Sequence, residues 1–313
     1  MKTLRTTVGF TAIMLVLSLM LASPLEAQEP NSTSSRAEAV AAPTPLPPEG
    51  PIKPQIVGGT PADPGEYPWQ AALVYSDEQN PLDGQFCGGS LIGSVWVLTA
   101  AHCVEGLSPT DIDVVLGINI LSEGPNNGSE GRRIAVDSIM AYPDYDPATF
   151  DMDIALLHLA DPASGADIHT IGWVGPENSD LFRPGVWATV TGWGATSDGG
   201  PYPDVLLEVA VPIVSNATCN APQSYDGAIT DYMLCAGLAE GGKDGCQGDS
   251  GGPLVVSNGQ GGWLQAGVVS WGEGCALPDL YGVYARLSQF SSWIDLQVYG
   301  SSPGIYLPIV RGG

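Results

Sequence analysis

From Trp69 onward, short apolar stretches recur between turn residues. The first group is Gln70–Tyr75, Ser90–Ile92, Val95–Thr99, Val114–Leu116 and Ile154–Leu159. The second is Trp187–Thr191, Leu206–Val214, Leu254–Val256, Leu264–Ser270 and Gly282–Ala285. Rich in branched residues and too short for helices, these stretches predict strands, and their grouping predicts two sheets. The period changes near the end, where Phe290, Trp293, Ile294 and Val298 fall at i, i+3, i+4 and i+8. That spacing is one apolar face of a closing helix.

The flanks follow other patterns. Met1 to Ala27 opens with Lys2 and Arg5, continues through an apolar run from Val8 to Ala22 and ends on small residues, which reads as a secretory signal cut near Ala27. The run is short for a spanning helix. Gln28 to Gln55 is rich in Ala, Pro, Ser and Glu without a hydrophobic period, as a propeptide or a plain linker would be. Residues 56–300 then form the main domain. The tail 301–313 carries the apolar run Ile305 to Val310, read either as an extra edge strand or as a surface-attachment signal.

Composition sharpens this picture. With 41 Gly and 27 Pro in 313 residues, turns outnumber long helices, and an all-β fold is expected. The chain carries 10 Lys+Arg against 34 Asp+Glu, a net charge of −24, which excludes nucleic acid as a natural partner. Six cysteines in an exported chain imply three disulfides, although spacing alone does not choose the pairing. No C-x-x-C pair suggests a metal site.

The chemistry centres on Gly245-Cys246-Gln247-Gly248-Asp249-Ser250-Gly251-Gly252-Pro253, where one hydroxyl stands among glycines. Ser250 is the candidate nucleophile, and it needs a base and donors aimed at a developing oxyanion. Gly248 to Gly252 also fits the G-x-S-x-G elbow of α/β-hydrolases, in which the histidine follows the serine. All three histidines, His102, His158 and His169, precede Ser250, an order that speaks against the elbow. What remains is the order His, Asp, Ser. His102 lies in Thr99-Ala100-Ala101-His102-Cys103, and Asp153 directly precedes the apolar run Ile154-Ala155-Leu156-Leu157. Asp151, two residues earlier, reads as a solvated turn residue.

Thr99 to Cys103, Gly248 to Pro253 and Ile56-Val57-Gly58-Gly59, in that setting, resemble a trypsin-like member of the chymotrypsin family of serine peptidases. The resemblance implies two antiparallel β-barrels with the site in the cleft between them, and disulfides Cys87–Cys103, Cys219–Cys235 and Cys246–Cys275. It implies His102 as general base, Asp153 as its orienting partner, Ser250 as nucleophile, and the amides of Gly248 and Ser250 as oxyanion hole. Asp244 would floor a pocket for Arg or Lys, walled by Ser270, Trp271, Gly272 and Gly282. An unperturbed histidine titrates at about 6.5, so activity is expected to rise through roughly pH 6–7.5. Cleavage before Ile56 would free an α-amine to pair with Asp249, so the protein would be made as a zymogen.

Two departures matter. Gln55 stands before Ile56 where the family commonly has a basic residue, and the nearby Lys53 is followed by Pro54, so a different processing protease is expected. Gly245 stands beside Asp244 where many relatives have a hydroxyl residue, which leaves the Arg or Lys preference open. The resemblance implies no cofactor. Asn119, Glu123, Asn126 and Glu130 offer oxygen donors for a structural calcium, in a spacing that does not match the family's loop. Partners would be protein or peptide substrates and protein protease inhibitors, acting on a secreted, extracellular monomer. Three disulfides and compact loops look more like bacterial relatives than multidomain ones. The competing readings are chymotrypsin- or elastase-like specificity, and a catalytically silent binding protein of the same fold.

Overall fold

The computed structural model describes residues 56–125 and 131–300, so the expectations for the leader, the segment before Ile56, Asn126, Glu130 and the tail lie outside the described residues. Six strands close the first barrel: β1 (Gln70–Tyr75), β2 (Gln85–Gly93), β3 (Trp96–Thr99), β4 (Ile112–Leu116), β5 (Arg132–Ala141) and β6 (Ala155–Leu159). They pair in the ring order β1-β2-β3-β6-β5-β4, all antiparallel. The second barrel comprises β7 (Trp187–Gly192), β8 (Leu207–Val214), β9 (Met233–Ala236), β10 (Pro253–Ser257), β11 (Trp263–Trp271) and β12 (Gly282–Arg286). Its ring, β7-β8-β9-β12-β11-β10, repeats the order of the first and closes through β7 and β10.

Every strand read from the sequence is present within a residue or a few of its expected ends. Two barrel strands were missed. β5 alternates buried Ile134 and Val136 with charged and exposed neighbours and continues into partly buried residues, so no apolar run marks it. β9 has only four residues, too few to show a period. The buried side chains include Leu73, Leu98, Val114 and Leu156 in the first barrel and Val190, Val211, Leu254 and Val268 in the second. Each such side chain contributes roughly 1.5–3 kcal/mol by leaving water.

Buried polar pairs fasten one barrel to the other. Ser90 Oγ donates to Gln265 Oε1 at 2.6 Å and Thr191 Oγ1 donates to Gln70 Oε1 at 2.6 Å. A hydrogen bond sealed from water rigidifies the seam, because breaking it strands a polar group inside the protein. The closing helix, Leu287–Tyr299, appears where the apolar spacing placed it, with Phe290 and Ile294 fully buried. It stays against β11 of the second barrel and also reaches the first, with the Tyr142 ring edge-on to Phe290 at 5.1 Å and to Trp293 at 5.3 Å.

The disulfides are Cys87–Cys103, Cys219–Cys235 and Cys246–Cys275, the pairing the resemblance implies. Closing loops with sequence separations of 16, 16 and 29 residues restricts the unfolded chain, a gain of about 3 kcal/mol for a loop near the shorter length.

Candidate active site

Strand pairing brings the first two site residues together. Thr99, the last residue of β3, lies opposite Ala155, the first of β6. The chain leaving β3 toward His102 therefore runs beside the chain that has just passed Asp153. His102 Nδ1 lies 2.7 Å from Asp153 Oδ2, and the His102 backbone N–H donates to Asp153 Oδ1 at 2.9 Å. Both bonds together fix the imidazole in position and orientation. The Asp153 side chain is fully buried, whereas that of His102 keeps 20% of its surface exposed toward the cleft.

A third donor to the same carboxylate comes from the other barrel. Ser270 Oγ, on β11, donates to Asp153 Oδ2 at 2.5 Å. The sequence assigned Ser270 to the pocket wall, which it also lines, and gave no sign of this bond across 117 residues. The loop before Asp153 is held unusually as well. Phe150 and Met152 adopt φ of 55° and 56°, a left-handed backbone that costs roughly 1–2 kcal/mol per non-glycine residue. Asp151, between them, is not the solvated turn residue expected: Thr230 Oγ1 of the second barrel's half donates to Asp151 Oδ1 at 2.6 Å. Its carbonyl also accepts the Asp146 N–H at 3.1 Å. The expectation failed because the partner is 79 residues away and invisible to local pattern. Phe150 places its ring edge-on to His102 at 5.6 Å.

Ser250 lies in the loop leading into β10, and its carbonyl accepts the N–H of Gly88 at 2.7 Å. That bond reaches β2 beside Cys87, whose disulfide partner Cys103 follows His102. The Ser250 backbone and the imidazole are thus tied to one short piece of the first barrel. Within the loop, the amides of Cys246, Asp249, Gly251 and Gly252 all donate inside the chain. Those of Gln247, Gly248 and Ser250 have no acceptor among the described residues. Unspent N–H groups beside a serine hydroxyl are what an oxyanion would require. Gly248 has φ +94°, and a Cβ there would stand 2.7 Å from the Tyr202 ring, so glycine alone fits.

Asp244 lies behind Ser250. One cavity of about 150 Å³ is lined by Asp244, Ser250, Ser270, Trp271, Gly272 and Gly282, so the structure brings every predicted pocket residue to one slot. A Cβ on Gly282 would approach Asp244 Oδ1 to 2.6 Å, and its absence leaves the carboxylate accessible from the slot. Burial pushes the Asp244 carboxyl up to about 7, although the amides of Ala276 and Gly245 pull it back. Sequence reasoning missed Tyr284, which also lines the slot. Its hydroxyl is buried without a partner among the described residues.

Asp249 is fully buried, its two oxygens accepting the amides of Gly194 at 2.7 Å and Cys246 at 2.8 Å. Burial raises its carboxyl to about 6. No Lys, Arg or His forms an ion pair with it among the described residues. Ile56 is fully buried too, and Val57 accepts the Asp244 N–H at 3.2 Å while packing beside the Cys246–Cys275 disulfide.

Metal ligands are a different matter. The one grouping of His, Cys and acidic side chains close enough to share an ion, among the described residues, is Cys87, His102 and Cys103, and its sulfurs are spent in a disulfide. Of the oxygen donors weighed for calcium, Asn119 turns its side-chain amide onto the Ala62 carbonyl at 3.4 Å, and Glu123 ends a short 3-10 turn.

Comparison with known proteins agrees with this geometry. The profile of the trypsin family matches residues 56–294. Transmembrane protease serine 11E of Mus musculus is 40% identical over 242 residues, covering 77% of this chain and 54% of the relative. Transmembrane protease serine 11C of the same organism is 39% identical over 241 residues, covering 77% and 53%. The chain spans about half the length of these curated relatives. Both are mammalian and transmembrane by name, and so lend no support to the likeness to bacterial relatives. Among the described residues, no helix is long and apolar enough to cross a membrane. With two six-stranded barrels, three disulfides and a family match spanning both barrels and the Ser250 loop, the chain belongs to the trypsin family of serine proteases.

Proposed function

We propose that the protein is a secreted endopeptidase that cuts protein or peptide chains after Arg or Lys through an acyl-enzyme. The observation that carries this reading is the single slot lined at one end by Ser250 and floored by the buried Asp244. A buried carboxylate without a cation is costly, so a substrate guanidinium or ammonium supplies what the slot lacks.

In this mechanism Ser250 Oγ attacks the scissile carbonyl carbon while its proton passes to His102 Nε2. Asp153 holds the imidazole through Nδ1–H and stabilises the imidazolium. The carbonyl oxygen, now negative, sits against the amides of Gly248 and Ser250. His102 then returns the proton to the leaving amine, the C–N bond breaks, and water repeats the sequence to release the acyl group.

Activation follows from the second buried carboxylate. Cleavage after Gln55 converts the Ile56 amide into a charged α-amine beside a loop whose Asp249 has only amide donors. Pairing the two locks residues 245–250 and with them the oxyanion donors. Because Gln55 precedes the cut, another protease performs it. Residues 1–27 and 28–55 then serve as signal and propeptide, residues 56–300 act as a monomeric enzyme, and protein inhibitors that fill the slot are further partners.

The test is hydrolysis of small amides differing only at the residue before the cut, by protein whose N-terminus is verified as Ile56, with Ser250→Ala and Asp244→Asn as controls. Arg or Lys turnover is expected. It should vanish in Ser250→Ala, and in Asp244→Asn kcat/KM should fall by roughly 10²-fold, about 3 kcal/mol, because a buried charge pair loses one member. Turnover confined to Phe, Leu or Ala substrates would discard the Asp244 assignment, and no turnover would favour a binding protein.

A further inference from the structure

Only six of the chain's ten Lys and Arg residues lie from Ile56 onward, far below ordinary usage, and five of them are among the described residues. Their surroundings share a property. A protease of this fold takes its substrate as an extended strand with the basic side chain free to enter the slot, so a susceptible site must release both side chain and backbone.

Arg183 is exposed, with no side-chain partner among the described residues, but Pro184 follows it, and a tertiary amide with a ring is a poor bond to cut. Arg133 is pinned: Nε donates to Asp113 at 2.7 Å, and its two Nη atoms donate to the carbonyls of Tyr75, Ser76, Glu78 and Gln79. Arg132 is exposed, but it lies opposite Leu116 in the β4–β5 pairing, and the residue after it is the pinned Arg133. Arg286 is held by the Met233 carbonyl at 2.7 Å and by Asn216 Oδ1 at 2.6 Å, at the junction of β12 and the closing helix. For Lys243 the bond at risk is the one to Asp244, whose N–H donates to Val57 and whose side chain is buried beneath the slot.

We infer that the domain is built to resist its own activity: each basic residue in the described fold is followed by proline, held by its side chain, or joined to a peptide fixed in the structure. This rests on the Arg and Lys specificity proposed above, and it sets an order of risk. Arg132, at the start of its strand and bonded among the described residues only to the Ser164 carbonyl at 3.4 Å, is the weakest point. The guard on Arg183 is the lightest to remove, since it is a single exposed ring.

The experiment incubates concentrated active protein, first shown to turn over a small Arg or Lys substrate, and follows it by denaturing gel and intact mass. Unfolded Ser250→Ala protein is supplied as a competing substrate. The parent is expected to show no cut between Ile56 and Gly300 while the unfolded chain is digested after its basic residues. Pro184→Ala, with unchanged initial turnover, should lose intact chain at least about tenfold faster through a new N-terminus at position 184, because the closed loop now holds an ordinary amide. Asp113→Asn should open Arg132 and Arg133 more slowly. Internal cuts in the parent at a rate near that of the unfolded chain would overturn the inference, as would an uncut Pro184→Ala protein. Absence of Arg and Lys turnover at the outset would instead sink the specificity on which it rests.

Discussion

The two barrels share one strand order, yet they hold their charges in opposite ways. In the first, Asp153 is buried with its needs met: His102 supplies two donors and Ser270 a third. In the second, Asp244 and Asp249 are buried with amide donors alone and both carboxyls are pushed upward, to about 7 and about 6. One barrel holds an imidazole already oriented by its carboxylate. The other buries two carboxylates that form no ion pair among the described residues; under the proposed function, substrate would pair with one and the new terminus with the other. A shared topology therefore says nothing of which half is complete before the ligand arrives.

The largest effect should come from spoiling the finished half. Asp153→Asn keeps the shape but reverses the demand on His102 Nδ1, and kcat is expected to fall on the order of 10⁴-fold, as in the family's well-known template. An unchanged thermal midpoint beside that loss, read by calorimetry, would show that the defect lies in proton placement. A loss below tenfold would mean that this carboxylate does not orient the base.

Next in size is the buried carboxylate of Asp249. Its folded carboxyl, at about 6, lies above the unfolded value of 3.8, so the folded chain binds more protons between those limits. Stability contributed by this group therefore falls as pH rises through that window. Above it the cost is about 3 kcal/mol, since each tenfold change in proton affinity is worth about 1.36 kcal/mol. Under the proposed activation, protein cut to begin at Ile56 would pair the carboxylate and escape most of that cost. Urea titrations of the uncut and cut forms should coincide near pH 4 and separate by pH 7, and parallel curves across the range would break the comparison.

The smallest effect tests the link between halves. Ser270→Ala removes one of three donors to Asp153 and should cost about 1.5 kcal/mol in kcat/KM, roughly tenfold, the range for hydrogen bonds to charged groups. A change in KM alone would leave Ser270 as pocket wall only.

How far these features were legible depended on range. Strands announced by Val, Leu and Ile runs were readable from neighbours, as was the closing helix from its spacing. His102, Asp153, Ser250 and Asp244 were legible because short motifs surround them, though it took the resemblance to give each its place. What stayed hidden was set by contacts between distant segments: β5, whose inward residues alternate with charges, and Asp151, which looked solvated until Thr230 met it. The second duty of Ser270 belongs to the same class, since no local pattern marks a hydroxyl for a carboxylate in the other barrel.

The bond from Ser270 to Asp153 also acts as a clock. A ribosome adding about 5–20 residues per second needs about 6–23 s to travel the 117 residues between them. Throughout that interval His102 and Asp153 exist without the third donor, and the strands of the second barrel are still being made. Ser250 itself is added only 20 residues before Ser270, so the His102–Asp153 pair waits for that hydroxyl through most of the same interval.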